Sequence, residues 1–252
     1  MKFIFRVMPL VALAVLLSVG YSTGEAVRAD ASCGASERVS DVEDAVEAVD
    51  TVAAGENQLT ASDVFVGLSS EALELLPLQT RQDMLIYHEA GREWKATNAM
   101  EGLSELLCVT DDFLEVRLTG VSTFQIRILP LKKKGKYVAM TIYTVGTDKE
   151  SADSEVRFYD ESLAELDGSK YLKTPQLKEF LTLPKKGLTL REAEELVPFT
   201  TVAFSASADS DQLSAQLTIG DYLSVESYDT IKPYITNPLT YRWAGDRFRL
   251  EK

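Results

Sequence analysis

Apolar and polar residues alternate along residues 103–145 in four consecutive runs that short polar turns separate. In the second run Leu114, Val116 and Leu118 alternate with polar residues, and the third run repeats the pattern over residues 123–128. An alternation of period two places successive side chains on opposite faces of a strand. The stretch therefore predicts an antiparallel β-meander with one apolar face and one solvated face.

Turn-forming residues separate the runs, and a further alternating run follows them. The segments 111–112, 119–120 and 132–135 have the composition that ends one strand and starts its neighbour. A polar loop at 146–153 follows, and residues 154–160 alternate again. We therefore expect five strands by residue 160.

Helical patterns precede the meander. Residues 62–66 are predicted as a short extended segment, and helices are predicted at about 70–76 and 79–89. Pro77 breaks the chain between the two helices, and Gly91 is a normal C-terminal stop for the second one.

The second helix has its apolar residues grouped on one side. Leu78, Leu85 and Ile86 are expected to face the sheet, with Met84 and Tyr87 beside them. Both helices are therefore expected to cover the apolar face of the meander.

The second half of the chain again runs from helix into strands. Its predicted elements, in chain order, are short helices at 175–181 and 189–196, strands at 201–208 and 213–219, a helix at 224–235, and a hairpin of strands at 240–243 and 247–250. The turn cluster at 167–170 separates the halves. The fold class expected is α+β, a mainly antiparallel sheet with short helices packed on one face. Residues 59–252 would form this domain, with candidate halves at 59–168 and 169–252.

The first residues have the pattern of a secretory signal peptide. Lys2 and Arg6 precede an apolar run over residues 7–19, and small residues follow. The run is about 13 residues long, whereas a membrane-spanning helix needs about 20. Residues 1–20 are therefore predicted as a signal peptide, with no transmembrane segment after its removal. No lipoprotein pattern surrounds Cys33, so a soluble periplasmic or extracellular product is expected.

An acidic leader is predicted at residues 21–58. It has few bulky apolar residues, which favours a flexible segment. A competing pattern is the helical spacing of its valines and one alanine, at Val39, Val42, Val46, Val49 and Ala53. Both interpretations stay open.

The sequence contains two cysteines, Cys33 in the leader and Cys108 in the first meander strand. Export leads to an oxidising compartment, in which the two could pair. The favoured interpretation is a buried, unpaired Cys108, and a disulfide between Cys33 and Cys108 is the alternative.

Composition excludes several classes of partner. The chain of 252 residues is 45% hydrophobic and carries a formal charge of −13, which is the balance of a globular but acidic protein. Nucleic acids and anionic membrane surfaces bind to basic protein surfaces, so the negative charge of this chain argues against both as partners. The basic run from Lys132 to Lys136 lies between two predicted strands, and its ordinary interpretation is a solvated hairpin loop.

Motifs for catalysis or cofactor binding are missing from the sequence. The single histidine, His88, supports neither a nucleophilic triad nor a histidine-rich zinc site. The acidic segments 111–112, 148–153 and 209–211 lack the spacing of a recognised calcium loop, so they are predicted as turns. No glycine-rich phosphate loop occurs. No catalytic, cofactor-binding or metal-binding residue is therefore predicted, and no cofactor.

Adjacent carboxylates leave one enzymatic class open. Asp160 and Glu161 follow a predicted strand, and Asp111 and Asp112 lie between two strands. Two such groups could serve a glycosidase if the fold brought them together across a cleft. Turns place acidic residues at the same positions, so we interpret these pairs as turn residues.

Aromatic residues are concentrated in the predicted sheets and their connections. They favour either a core role or an exposed binding face. The residues concerned are Tyr137, Tyr143, Phe158, Tyr159, Tyr222, Tyr228, Tyr234, Tyr241 and Trp243.

Several stretches together resemble a family of exported Bacteroidales proteins known as domain of unknown function 3256. They lie at 63–65, 81–87, 96–99, 110–114 and 241–248. The resemblance covers about residues 59–252 and implies a signal peptide and an extracytoplasmic α+β domain. It implies no activity and no catalytic residues. The acidic leader departs from the family pattern.

The function expected from the sequence is a non-enzymatic binding or structural module of the periplasm or cell surface. Its partner would be an envelope protein or a carbohydrate. The alternative is a carboxylate-dependent hydrolase acting on envelope or extracellular glycans.

Overall fold

Eleven strands and four short α-helices form the part of the chain that the structure, a computed structural model, describes: residues 59–146 and 151–251. The strands are β1 (Lys95–Thr97), β2 (Leu103–Val109), β3 (Phe113–Thr119), β4 (Ser122–Pro130), β5 (Tyr137–Val145), β6 (Asp153–Tyr159), β7 (Glu165–Leu166), β8 (Val202–Ala206), β9 (Gln212–Leu217), β10 (Leu239–Trp243) and β11 (Phe248–Leu250). The helices are α1 (Ala61–Gly67), α2 (Leu78–Glu89), α3 (Leu190–Leu196) and α4 (Val225–Ile231). The α+β class is confirmed.

The first seven strands form one antiparallel sheet in chain order, called here the large sheet. Strands β2 to β5 are the four predicted runs of the meander, and β6 is the fifth predicted strand. Strands β1 and β7 were not predicted, because three and two residues are too few to show a period.

One face of the large sheet carries the main apolar core. Val116, Leu118 and Ile126 are fully buried there, and α1 and α2 contribute to the same cluster. Each fully buried aliphatic side chain stabilises the fold by about 1.5–3 kcal/mol. We call this side of the sheet the helix face.

Helix α1 replaces the extended segment predicted at 62–66, so that prediction is wrong. Thr60 Oγ1 accepts a hydrogen bond from the Asp63 N–H at 3.1 Å, and the Asp63 carboxylate accepts one from the Thr60 N–H at 2.9 Å. This reciprocal capping box starts a helix even though the following residues are β-branched or aromatic. Val64 and Phe65 are then buried against the sheet.

Helix α2 begins and ends within one residue of its prediction, but its orientation differs from the expected one. Leu78 and Ile86 are 46% and 61% exposed, whereas Arg81 and Met84 are buried. Arg81 and Met84 are three residues apart and share the buried face of the helix. Leu85 is half-buried against the same core, as predicted, whereas Leu78, the first residue of the helix, and Ile86 are exposed to solvent.

Arg81 is buried because it ends helix α1. Its guanidinium donates to the carbonyl oxygens of Phe65 and Leu68 at 2.6 and 2.8 Å. These carbonyls belong to the end of α1, where no further helical N–H groups are available. Burial lowers the pKa of Arg81.

The helix predicted at 70–76 does not form, and this prediction is also wrong. The Ala72 N–H donates to the Ser69 carbonyl and the Leu76 N–H to the Leu73 carbonyl, which are turn hydrogen bonds. Leu73 and Leu76 are buried under this chain of turns. We call residues 69–76 the roof segment.

The second half forms a separate antiparallel sheet of four strands in the order β11-β10-β9-β8, called here the small sheet. Thr189 and Glu192 complete a capping box that starts α3. The predicted helix at 175–181 is shortened to a 3-10 turn, Leu177–Glu179, and α4 continues as the 3-10 turn Lys232–Tyr234.

The small sheet meets the large sheet through the free edge of β8. Alternate backbone N–H groups of β8 donate to polar side chains of the large sheet: Val202 to Asp153 at 3.2 Å, Phe204 to Ser154 at 2.9 Å, and Ala206 to Gln125 at 3.0 Å. An unpaired strand edge is a site for aggregation. Here side chains of the facing sheet cover that edge.

Cys108 is buried, as predicted, and it is disulfide-bonded, which corrects the favoured unpaired interpretation. The predicted signal peptide, the acidic leader and Cys33 lie outside the described residues. Within the described ranges no helix has the length and apolar character needed to span a bilayer.

Candidate functional site

A groove of about 400 Å³ lies on the helix face of the large sheet, between strands β4 to β6 and the roof segment. We call it the helix-face groove. Its lining residues come from the floor strands, the roof segment and the turn after β1: Phe124, Thr141, Tyr143, Glu155, Arg157 and Tyr159, then Glu71, Ala72, Leu73, Glu74 and Leu75, then Met100. Ligand pockets typically occupy about 300–1,000 Å³, so its size suits a small ligand or one large side chain.

Strand alternation builds the floor of this groove. Phe124 lies opposite Tyr143, which lies opposite Glu155 on the next strand, and Thr141 lies opposite Arg157. Paired residues of neighbouring antiparallel strands point to the same face. Phe124 and Tyr143 thus lie side by side and form the platform of the groove, and Tyr159, four residues beyond Glu155 on β6, lies on the same face.

The roof segment is held over this platform by backbone hydrogen bonds. The Leu75 carbonyl accepts from the Ala99 N–H at 2.9 Å, which fixes the roof to the turn that carries Met100. Leu73 is buried beneath the roof, while the Met100 side chain is 74% exposed at the mouth of the groove. The groove thus has an apolar wall and an apolar, accessible entrance.

Charged side chains of the groove are partly paired with each other. Arg157 lies 2.9 Å from the Glu155 carboxylate and 3.9 Å from that of Glu165. The hydrogen bond to Glu155 holds the pKa of Arg157 above its ordinary value. Burial raises the pKa of Tyr159, so this phenol stays neutral at pH 7. The described residues that line the groove include no serine, cysteine, histidine or lysine.

The acidic pair after β6 forms a turn. The Asp160 carboxylate accepts hydrogen bonds from the Ser162 hydroxyl and from the Ser162 and Ala164 N–H groups, and these lower its pKa. Glu161 lies 2.5 Å from Lys136, which lowers the pKa of Glu161. A general acid needs a raised pKa, so this pair lacks the property that a glycosidase requires.

Two other predicted turns meet at one edge of the molecule. Asp112 and Asp211 both line a cleft of about 400 Å³ together with Trp243 and Arg127. Arg127 holds Asp112 in an ion pair at 3.0 Å. Trp243 donates from Nε1 to the Pro130 carbonyl at 2.6 Å. The Trp243 hydrogen bond crosses from the small sheet to the large sheet, and Arg127 also donates to the Ser207 and Ala208 carbonyls at 3.2 and 3.0 Å. The cleft is therefore a second contact region between the two sheets.

Among the described residues the carboxyl with a raised pKa is that of Glu115, and the cause is burial. It lines a cavity of about 200 Å³ between the sheets, beside Gln125. No second acidic residue is found among the described residues that line this cavity. The two-carboxylate geometry of a glycosidase is therefore missing there.

Metal ligands are dispersed over the described residues. No group of three histidine, cysteine or acidic residues is placed to hold a metal ion within these ranges. His88 is exposed in the last turn of α2.

The aromatic residues named from the sequence divide between core and surface. Phe158, Tyr159, Tyr241 and Trp243 are buried, and Tyr222 is 47% exposed. The remaining members, Tyr137, Tyr143, Tyr228 and Tyr234, are half-buried.

Sequence reasoning missed the groove. Alternation indicated that Phe124 shares a face with its neighbours, but it contains no information on which part of that face the helices leave open. Leu73 lies in the segment that was wrongly predicted as a helix at 70–76, and Met100 lies in a short turn, which has no periodicity to detect.

The fold is shared with a solved structure. A domain of an uncharacterized protein from Porphyromonas gingivalis W83 superposes with a TM-score of 0.64 at 22% sequence identity. The match covers 75% of this chain and 96% of that one. No curated protein matches the chain. The model of the family described as "Protein of unknown function (DUF3256)" matches residues 54–248. The chain therefore belongs to this family, as the resemblance noted in its sequence implied.

Proposed function

We propose that the protein is an exported, non-enzymatic binding module that holds an apolar side chain of a partner protein in the helix-face groove. Export is proposed from the signal-peptide pattern of residues 1–20. The observation that supports binding most directly is the groove itself, an apolar cavity of about 400 Å³ whose mouth carries an exposed methionine.

A protein partner is favoured over a carbohydrate because of the lining. Leu73, Leu75 and Met100 contribute apolar walls, whereas a sugar needs a dense set of hydrogen-bond donors and acceptors. Tyr143 is half-buried on the floor and offers a large, rigid ring, and tyrosine and methionine are enriched at protein interfaces.

A binding role also agrees with the state of the polar groups. The Arg157 guanidinium is already paired with the Glu155 carboxylate, which fixes both side chains on the floor of the groove before a ligand binds. The rival function, a carboxylate-dependent hydrolase, has less support because Asp160 and Glu161 have lowered pKa values and Asp112 is held by Arg127.

A peptide titration, compared with a variant whose groove is blocked, tests the proposal. The mature protein would be titrated with a neutral acetylated heptapeptide, Gly-Ser-Leu-Phe-Leu-Ser-Gly amide, and followed by NMR. We expect shifts at groove residues and their loss in Ala72→Trp, which places an indole beneath the roof. Ala164→Trp is the matched control, because Ala164 is exposed in a turn outside the groove. Equal binding to both variants, or shifts confined to other surfaces, would overturn the proposal.

A further inference from the structure

We infer that the partner segment is basic, with an apolar anchor residue flanked by lysine or arginine; this inference rests on the proposed binding function. It starts from the charges around the helix-face groove. Glu71, Glu74 and Glu155 line the groove, and Arg157 is the one basic residue among the lining residues that the structure describes. The groove is therefore an apolar cavity with an acidic rim.

The single arginine does not balance these carboxylates. Arg157 is shared between Glu155 at 2.9 Å and Glu165 at 3.9 Å, so its charge is already compensated on the floor strand. Glu71 and Glu74 form no ion pair within the described residues, and both are exposed on the roof segment. Cationic groups of a ligand would therefore find unpaired partners there.

Apolar contacts and charged contacts are provided by different parts of the groove. The apolar contacts come from the half-buried Tyr143 and Leu75, and the buried Phe124 and Leu73 close the cavity behind them. The free carboxylates lie on the roof, and Glu155 lies on the floor. An anchor side chain in the cavity would thus have carboxylates on two sides.

Apolar surface continues beyond the cavity, which suits a peptide segment better than a single small molecule. Val145 follows Tyr143 by two positions on β5, so it lies on the same face, and it is 48% exposed. Met100 at the mouth is 74% exposed. Together they offer contacts for residues next to the anchor.

The charge balance argues against anionic occupants. Unpaired carboxylates repel an acidic peptide or an anionic lipid headgroup. The whole chain has a formal charge of −13, which also steers cationic partners toward it. The acidic rim thus favours a basic protein segment.

A charge series of peptides tests the inference. Three acetylated heptapeptide amides share the centre Leu-Phe-Leu and carry two lysines, two glutamines or two glutamates on each side. We expect the lysine peptide to bind the mature protein about fivefold to tenfold more tightly than the glutamine peptide at low salt, which is the size expected of exposed ion pairs. The difference should shrink at high salt.

A matched pair of variants locates the effect. Glu71→Gln with Glu74→Gln should lower the affinity for the lysine peptide more than the affinity for the glutamine peptide, so that the preference for lysine falls. Glu194→Gln with Glu226→Gln is the control, because it changes the net charge equally at exposed positions outside the groove.

The outcomes separate the two proposals. Equal affinity for the lysine and glutamine peptides would overturn the basic partner while the binding function stands. A lysine preference that both double variants lose equally would show a general charge effect and would also overturn it. Failure of all three peptides to bind at the groove would overturn both proposals.

Discussion

Gln125 on the large sheet and Ala206 on the edge of the small sheet form a reciprocal pair of hydrogen bonds. The Gln125 Oε1 atom accepts from the Ala206 N–H at 3.0 Å, and the Gln125 Nε2 atom donates to the Ala206 carbonyl at 3.4 Å. Both residues are buried. A glutamine amide can satisfy a backbone donor and acceptor at once, so this side chain takes the place of a neighbouring strand.

Gln125→Leu is expected to destabilise the protein because it leaves two backbone groups of Ala206 without partners. Each unsatisfied buried group costs about 1–3 kcal/mol. Urea unfolding of the variant should therefore show a free energy of unfolding lower by at least about 2 kcal/mol. Gln79→Leu, at an exposed position on α2, is the control and should change little. An unchanged midpoint for Gln125→Leu would contradict this role.

Arg81→Met is expected to destabilise the fold by about 2–4 kcal/mol, because methionine fills a similar volume but donates no hydrogen bond. The carbonyls of Phe65 and Leu68 would lose their buried donor. Thermal unfolding would measure the change. Arg92→Met, at an exposed position after α2, should have almost no effect. If both variants unfolded at the same temperature, Arg81 would not be needed to end α1.

Glu115 should make stability depend on pH with a defined sign. Its pKa is raised in the folded state by burial, from an ordinary value of 4.5. The folded protein therefore binds this proton more tightly than the unfolded chain. The contribution of Glu115 to stability is favourable at pH values below about 4.5 and is lost as the pH rises through the raised pKa.

Glu115→Gln removes this titration while keeping a polar side chain beside Gln125. The difference in free energy of unfolding between the variant and the wild type should grow in favour of the variant as the pH rises above 4.5. Glu194→Gln, at an exposed position on α3, should show a flat difference. A flat difference for Glu115→Gln as well would show that burial has no effect on its proton.

Cys108 should be protected from alkylation in the folded, oxidised protein, because it is buried and disulfide-bonded. Iodoacetamide in denaturant should label Cys108 only after reduction, and mass spectrometry of the peptide would detect the label. Labelling before reduction would show a free thiol. Reduced and oxidised samples should also differ in thermal stability, since disulfides typically contribute about 2–4 kcal/mol.

Local patterns were sufficient for most elements of the first sheet. The alternation around Val116 and Ile126 identified β3 and β4, because a half-buried strand must present apolar side chains at every second residue. The helix predicted at 189–196 also forms as α3, and the capping box of Thr189 and Glu192 begins it. At residues 61–67 the sequence contained two opposing signals, and the capping box of Thr60 prevailed over the β-branched composition.

Tertiary structure decided which surfaces meet. The sequence by itself determined an α+β chain with a long antiparallel meander, because strand and helix periods are local properties. Only packing determined that Arg81 turns inward, that β8 places its edge on Gln125, and that the roof segment leaves Tyr143 accessible. These features depend on contacts between residues far apart in the chain. Local periodicity contains no information about such contacts. The candidate site is therefore a product of packing, built on strands that the sequence already specified.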